Sequence, residues 1–213
     1  LSDSQRTIVI GAGGHAKVII DILRADPAVD LVGCTSADGS GCVAGVPVLG
    51  DDSILPELYA QGVHQAFVAI GDNRIRWKMA RTAANIGYTL INAISRHAYI
   101  SPSASLGSGI AIMPGAVVNA EARIRDFAII NTGASVDHES VIGEACHIAP
   151  GSHLSGNVRV GEGSFLGTGT QVIDGTAVGA WSVLGAGAVV VRDIPDQCLA
   201  VGVPARVIKH FDC

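Results

Sequence analysis

The chain has 213 residues, 48% of them hydrophobic and only 15% charged, which excludes a disordered polypeptide and allows one large core or two small ones. Aromatic residues are just 4% while glycine reaches 27 copies, so the core must be built from small and aliphatic side chains. A net charge of -5 leaves no basic surplus for nucleic acid, and no apolar run approaches the ~20 residues of a spanning helix.

The first predicted element is a short buried strand over 7–10. Gly11-Ala12-Gly13-Gly14-His15-Ala16 follows, and then a helix over 17–24. A second strand covers 31–34, an extended piece 46–50 and a helix 53–60. A buried strand over 66–70 runs into Gly71-Asp72-Asn73, and a helix over 74–86 and a strand over 88–93 close the unit. Strands alternating with helices predict a small parallel α/β, Rossmann-like domain over residues 1–95.

Gly11-x-Gly13-x-x-Ala16 between strand and helix is a dinucleotide-type turn whose backbone N–H groups face phosphate. A nicotinamide cofactor would also need an acid at the end of the second strand for its ribose hydroxyls. The sequence offers Thr35 and Ser36 there, with Asp38 only nearby, so a nucleotide-sugar diphosphate fits better. His15 has two readings at this stage, a phosphate or sugar contact and a solvent-facing helix residue.

From Ile100 a second pattern takes over. Every sixth residue as far as Val190 is Ile, Leu or Val, sixteen positions without a slip. Two residues before each stands a small side chain, broken only by Ile110 and Val158. A period of six predicts a hexapeptide β-helix over 96–213, three hexads to an 18-residue coil, with the aliphatic residue inside and the small one near the corner. Five cysteines, odd in number and without C-x-x-C spacing, read as free thiols, so a reducing, cytoplasmic setting is expected. Cys146 falls in an inward small slot, out of reach of any substrate.

Chemistry is expected at Val136-Asp137-His138-Glu139-Ser140. Since Val136 points inward, His138 lies two places on, along the face and outside the prism, with a carboxylate beside it. An imidazole paired with a carboxylate suits proton removal near neutral pH. Eighteen residues on is Gly156 and eighteen back is Ala120, so the histidine is bracketed by small residues where a flat ligand could approach the backbone.

The G-x-G-G-H-A turn, the Ile70-Gly71-Asp72-Asn73 strand end, the Asp137-His138-Glu139-Ser140 hexad and the closing Gly202-Val203-Pro204-Ala205-Arg206-Val207-Ile208-Lys209 resemble the sialic-acid O-acetyltransferase family of hexapeptide-repeat acyltransferases. Within it the chain is most similar to the bacillosamine-pathway N-acetyltransferases, which acetylate the 4-amine of a UDP-linked sugar. The resemblance implies a left-handed prism, acetyl-CoA as co-substrate, no metal, and a homotrimer with the CoA groove between subunits. It implies His138 as general base and Glu139 as its orienting acid. His147, Gly156, Thr168 and Ala186 fall on the CoA side. Gly11, Gly13, Gly14, His15, Gly71, Asp72, Asn73 and Asn131 fall on the nucleotide-sugar side. Exposed Ile173, Val191 and Trp181 suit burial between prisms, and 202–206 either lines the adenine end or caps the last coil.

Three competing readings follow from the same residues. The acceptor is a sugar hydroxyl, or an amine on a GDP- or dTDP-linked sugar. The prism is a zinc carbonic anhydrase using His138, His147 and His153, although His147 and His153 share one phase on successive faces. The prism is a rigid binding module without catalysis.

Overall fold

A computed structural model describes residues 5–211, which divide into two compact units, the first ending at Ile94 and the second beginning at Ser95. The first unit carries β1 (Gln5–Ile10), α1 (Gly14–Arg24), β2 (Val29–Thr35), β3 (Cys42–Val43), β4 (Val46–Gly50), α2 (Leu55–Ala60), β5 (Gln65–Val68), α3 (Asn73–Ile86) and β6 (Thr89–Leu90). Its sheet runs β3-β4-β2-β1-β5-β6 and is parallel except for the β3–β4 pair. The chain moves from β1 to β2 on one side and later returns to β5 on the other. Strand order therefore reverses beside β1, which opens a crevice at the carboxyl ends of β1 and β5. Ile8, Val9 and Ile10 are fully buried, and α1 packs Ala16, Ile19, Ile20 and Leu23, a stripe at helical spacing. α1 begins at Gly14, three residues earlier than the sequence predicts, so His15 lies in its first turn.

The second unit is a parallel β-helix. Sixteen two-residue strands, from Tyr99–Ile100 to Val189–Val190, stack as three sheets. Face A holds Tyr99–Ile100, Val117–Val118, Ser135–Val136, His153–Leu154, Gln171–Val172 and Val189–Val190. Face B holds Ser105–Leu106, Arg123–Ile124, Val141–Ile142, Arg159–Val160 and Ala177–Val178. Face C holds Ala111–Ile112, Ile129–Ile130, His147–Ile148, Phe165–Leu166 and Val183–Leu184. Each strand pairs with the one 18 residues on, as in Ser135 with His153 and Ile130 with Ile148. The second residue of each strand fills the interior. All are buried except Ile100 and Leu106, which belong to the first coil and have a coil on one side only.

Two features of the prism go beyond the hexad pattern. Every corner from 109 to 187 places its second turn residue in the left-handed region, with φ between 53° and 73° at fourteen consecutive six-residue steps. Eight are glycine, and the others are Glu121, Phe127, Glu139, Ala145, Asn157 and Trp181. The small inward residues also do more than save space. Ser140 Oγ donates to Ser155 O at 3.1 Å and accepts from Val158 N at 3.0 Å. Ser152, Ser164 and Ser182 repeat this bridge between a corner carbonyl and the next coil's N–H. Buried hydroxyls so paired satisfy backbone groups that the corners would otherwise leave unmet.

Two expectations need correction. His138 and Glu139 do not lie along a face. They form the turn between faces A and B. Trp181 is half-buried rather than exposed. Its ring covers Gly163 and its Nε1–H donates to Glu162 Oε1 at 3.2 Å. Ile173 and Val191 do lie exposed, at 45% and 36%.

Cys146 is fully buried, its thiol donating to Gly161 O at 2.9 Å. Cys34, Cys42, Cys146 and Cys198 are free, and Cys213 lies outside the described residues. The C-terminal segment closes the last coil: Ala205 N donates to Val189 O at 2.7 Å, and Val189 N to Gly202 O at 3.0 Å. No helix among the described residues is long and apolar enough to cross a membrane.

Corner glycines outside the left-handed positions are held by contact. A Cβ on Gly161 would lie 2.5 Å from Ala180 N and 2.8 Å from Gly179 C, both backbone of the next coil. Gly161→Ala should therefore destabilise the prism by about 1–3 kcal/mol, the scale of overpacking, as read from a urea unfolding midpoint.

Candidate functional site

The sequence-predicted residues fall into three groups. The first is the nucleotide-type turn at the carboxyl ends of β1 and β5. Gly11 has φ +111° and approaches β5 so closely that a Cβ would stand 3.0 Å from Ala69 O. Gly13 is the N-cap of α1 and offers no side chain to its free N–H groups, and neither Gly13 nor Gly14 has an atom within 4 Å of a notional Cβ. This is an open helix N-terminus with exposed donors, the usual setting for an anion.

His15 sits beside that turn, and its Nε2 is buried without a hydrogen-bond partner. Burial first, and the nearby Arg76 charge second, push its pKa down to about 4. The ring is therefore neutral near pH 7 and can offer one N–H. Arg76, at 1% exposure, is a residue the sequence did not single out. Its guanidinium donates to Ile70 O and Gly71 O, both at 3.0 Å, and to Asn73 Oδ1 at 2.9 Å. Two expected ligand residues thus have structural duties. Asp72 caps α3 through Ile75 N at 2.9 Å, and Asn73 holds Arg76.

The second group lies on the A–B edge of the prism. His138 Nδ1–H donates to Glu139 Oε2 at 3.1 Å, with the two side chains 55% and 61% exposed. This leaves Nε2 as the basic nitrogen. Asp137 Oδ1 fixes the turn by accepting from His138 N at 2.8 Å and from Asn119 Nδ2 at 2.9 Å. The ring lies over Gly156, where a Cβ would come within 2.5 Å of Cε1 and 2.6 Å of Nε2. The expected empty slot beside the glycine is therefore occupied by the imidazole itself. The Asp174 carboxylate reaches the same point from the next coil, its Oδ1 2.9 Å from that notional Cβ. Among the described residues the Gly156 N–H meets no acceptor, so it is available to a ligand.

The third group spans face C and the C–A edge. The Asn131 amide donates to His147 Nε2 at 2.9 Å, and His147 packs edge-on against Phe165 with ring centroids 5.1 Å apart. Thr168 and Ala186 occupy the C–A turns of successive coils and are exposed, linked by Gly187 N to Thr168 O at 2.8 Å. The imagined zinc set is dispersed: His138 lies on the A–B edge, His147 on face C and His153 on face A. Among the described residues no group of three or more His, Cys, Asp or Glu is placed to hold a metal ion.

Residues 6–83 match the PglD N-terminal domain family. The whole fold is similar to a mutant of perosamine N-acetyltransferase from Caulobacter crescentus, solved in complex with CoA and GDP-perosamine. That similarity is 51% identity, a TM-score of 0.93, and coverage of 95% of this chain and 96% of that one. It is also similar to the acetyltransferase domain of PglB from Neisseria gonorrhoeae FA1090 in complex with acetyl coenzyme A, at 40% identity, TM-score 0.92, and 96% and 99% coverage. An uncharacterized protein, L142, of Acanthamoeba polyphaga mimivirus is 32% identical over 130 residues, and the chain spans 25% of its length.

The depressed pKa of His15 has a measurable consequence. Between pH 6.5 and about 4 the unfolded chain takes up a proton at this residue and the folded one does not, so stability falls as pH falls through that window. His15→Gln should remove this part of the acid sensitivity, giving a shallower loss of denaturation midpoint between pH 7 and 4.5.

Proposed function

The chain belongs to the hexapeptide acyltransferase family, and from that membership we propose that it transfers an acetyl group from acetyl-CoA to the amine of a nucleotide-linked 4-amino sugar. The observation that carries the reading is the His138–Glu139 pair packed against Gly156, whose N–H has no acceptor among the described residues. The sequence resemblance pointed to a UDP-linked acceptor. The 51% identity to an enzyme solved with GDP-perosamine moves the first choice to a GDP-linked 4-amino-4,6-dideoxy sugar.

Each step falls to a residue already placed. The acceptor amine attacks the thioester carbonyl as His138 Nε2 removes its proton. The tetrahedral adduct then breaks its C–S bond, and the departing CoA thiolate takes that proton from His138 to leave as the free thiol. Glu139 holds the Nδ1–H, fixing the tautomer and offsetting the charge that develops on the ring. The Gly156 N–H supports the oxyanion, a contact typically worth about 3 kcal/mol in the transition state. Asp174, whose Oδ1 reaches the same glycine, accepts a hydrogen bond from the amine and orients it. Cys146, buried and bonded inward, takes no acyl group.

The A–B and C–A edges of one prism stand apart, separated by the width of face A. His138 and Gly156 lie on one, and Asn131, Thr168 and Ala186 on the other. A site using both sets needs two copies of the chain, and the exposed Ile173 and Val191 give such copies an apolar surface to share. A closed ring of three prisms meets both needs.

Free thiol released from acetyl-CoA, measured against GDP-, UDP- and dTDP-linked 4-amino-4,6-dideoxy sugars, tests the reading. Turnover on the GDP-linked amine is expected, and silence across the panel would overturn it. His138→Ala should lower kcat roughly 100-fold or more with the assembly intact. Glu139→Gly separates function from fold. It relieves a left-handed residue costing about 1–2 kcal/mol against about 0.4–1 kcal/mol of added freedom in the unfolded chain. Its Tm should hold or rise while kcat falls at least about tenfold.

A further inference from the structure

The end of β2 lacks the acid that such crevices use for ribose, yet a carboxylate is present there. Thr35, fully buried as the last residue of β2, has its hydroxyl between two partners. It accepts from the Gly11 N–H at 3.4 Å and donates to Asp52 Oδ1 at 2.5 Å. One side chain thus ties the phosphate turn to an aspartate that arrives from the far end of β4. The neighbouring Asp51 is committed elsewhere, its Oδ1 accepting from Ser53 N at 2.9 Å in the turn it caps. The Asp52 side chain makes no other hydrogen bond or ion pair among the described residues, so Oδ2 and the remaining lone pairs of Oδ1 are free. It is half-buried.

We propose that Asp52, positioned by Thr35, accepts hydrogen bonds from the 2′- and 3′-hydroxyls of the nucleotide's ribose and so selects ribonucleotide-linked over 2′-deoxyribonucleotide-linked sugars. This rests on the nucleotide-sugar reading above. An ionised carboxylate only accepts, and so do phosphate oxygens, so what meets Asp52 beside a diphosphate must be a donor. With the diphosphate on the Gly13–Gly14 N–H groups, the ribose is the next unit of the ligand and its diol lies about one side chain from the turn. The base lies further out. The hydroxyl of Thr35 holds Asp52 by a charge-assisted bond, which keeps the carboxylate oriented before ligand arrives. His15 Nε2, buried and without a partner beside the same turn, is a second polar atom there awaiting a ligand. A position that reads as a departure from the ribose-binding pattern in sequence is thus supplied by a residue seventeen places further on.

Calorimetric titration of the full chain with GDP, 2′-deoxy-GDP, UDP and 2′-deoxy-UDP tests this without requiring turnover. The wild type should bind each ribonucleotide at least tenfold more tightly than its deoxy counterpart. Asp52→Ala should weaken the ribonucleotides about tenfold and bring the ratio near one. The isosteric Asp52→Asn, which keeps the turn's shape, should fall between them. Equal wild-type binding of ribo and deoxy forms, or an unchanged ratio in Asp52→Ala, would overturn the assignment. A changed GDP-to-UDP preference with an unchanged deoxy ratio would overturn it in favour of a base contact. No nucleotide binding at all would remove both this inference and the nucleotide-sugar reading. Discrimination at Asp52 without thiol release in the presence of an amino sugar would leave it standing and sink the acetyl transfer alone.

Discussion

From 109 to 187 the chain turns the same corner every six residues with one residue per corner in the left-handed region, and this constraint orders most of the prism. Most L-residues pay about 1–2 kcal/mol to stand there, so glycine fills eight of the fourteen corners. Where another residue stands, its side chain is held outside the prism on a backbone with no freedom to shift. Glu139 is such a residue, and its neighbour His138 is fixed by the same turn. The prism thereby supplies rigid display points, and the proposed chemistry uses them: His138, Gly156, Thr168 and Ala186 are all corner residues.

The first unit works by the opposite means. Its crevice is made of backbone, with Gly11, Gly13 and Gly14 leaving N–H groups bare. The charges that shape it, Arg76 and Asp52, sit behind the turn or across from it rather than in it. A buried guanidinium biases the crevice toward anions, and burial first with the Arg76 charge second keeps His15 neutral, so the imidazole serves as a hydrogen-bonding group and adds no second cation.

The hexad register and the α/β order were legible because each follows from a short period in one residue class. Ile100 through Val190 state the interior of the prism directly. The left-handed corners were also written in the sequence, in the phase of Gly109, Gly115, Gly133 and Gly151, but six non-glycine corners blur that pattern. Ser140, Ser152, Ser164 and Ser182 were read as small. Only the coil geometry shows that their hydroxyls bridge turns fifteen and eighteen residues away, or thirteen and sixteen for Ser182. His138, Glu139 and Asn131 could be named from the resemblance. Asp174, eighteen residues beyond Gly156, was within reach of the same coil arithmetic. Arg76 and Asp52 were not, because folding rather than spacing brings each into place. The placement of His138 on a face failed for a simple reason: a two-residue strand ends before a residue two positions on can belong to it.

The way the prism ends bears on its solubility. A stack of parallel coils is a template, since each new coil would find the backbone donors and acceptors of the last one waiting. On face C that template is withdrawn. Cys198–Val201 continues the parallel sheet, and Arg206–His210 then folds back on it antiparallel, exposed along its whole length and carrying Arg206, Lys209 and His210. A parallel coil from another molecule would meet a reversed strand and the charges of Arg206 and Lys209. The hairpin thus acts as a terminator, turning a shape that could grow without limit into a particle of fixed length.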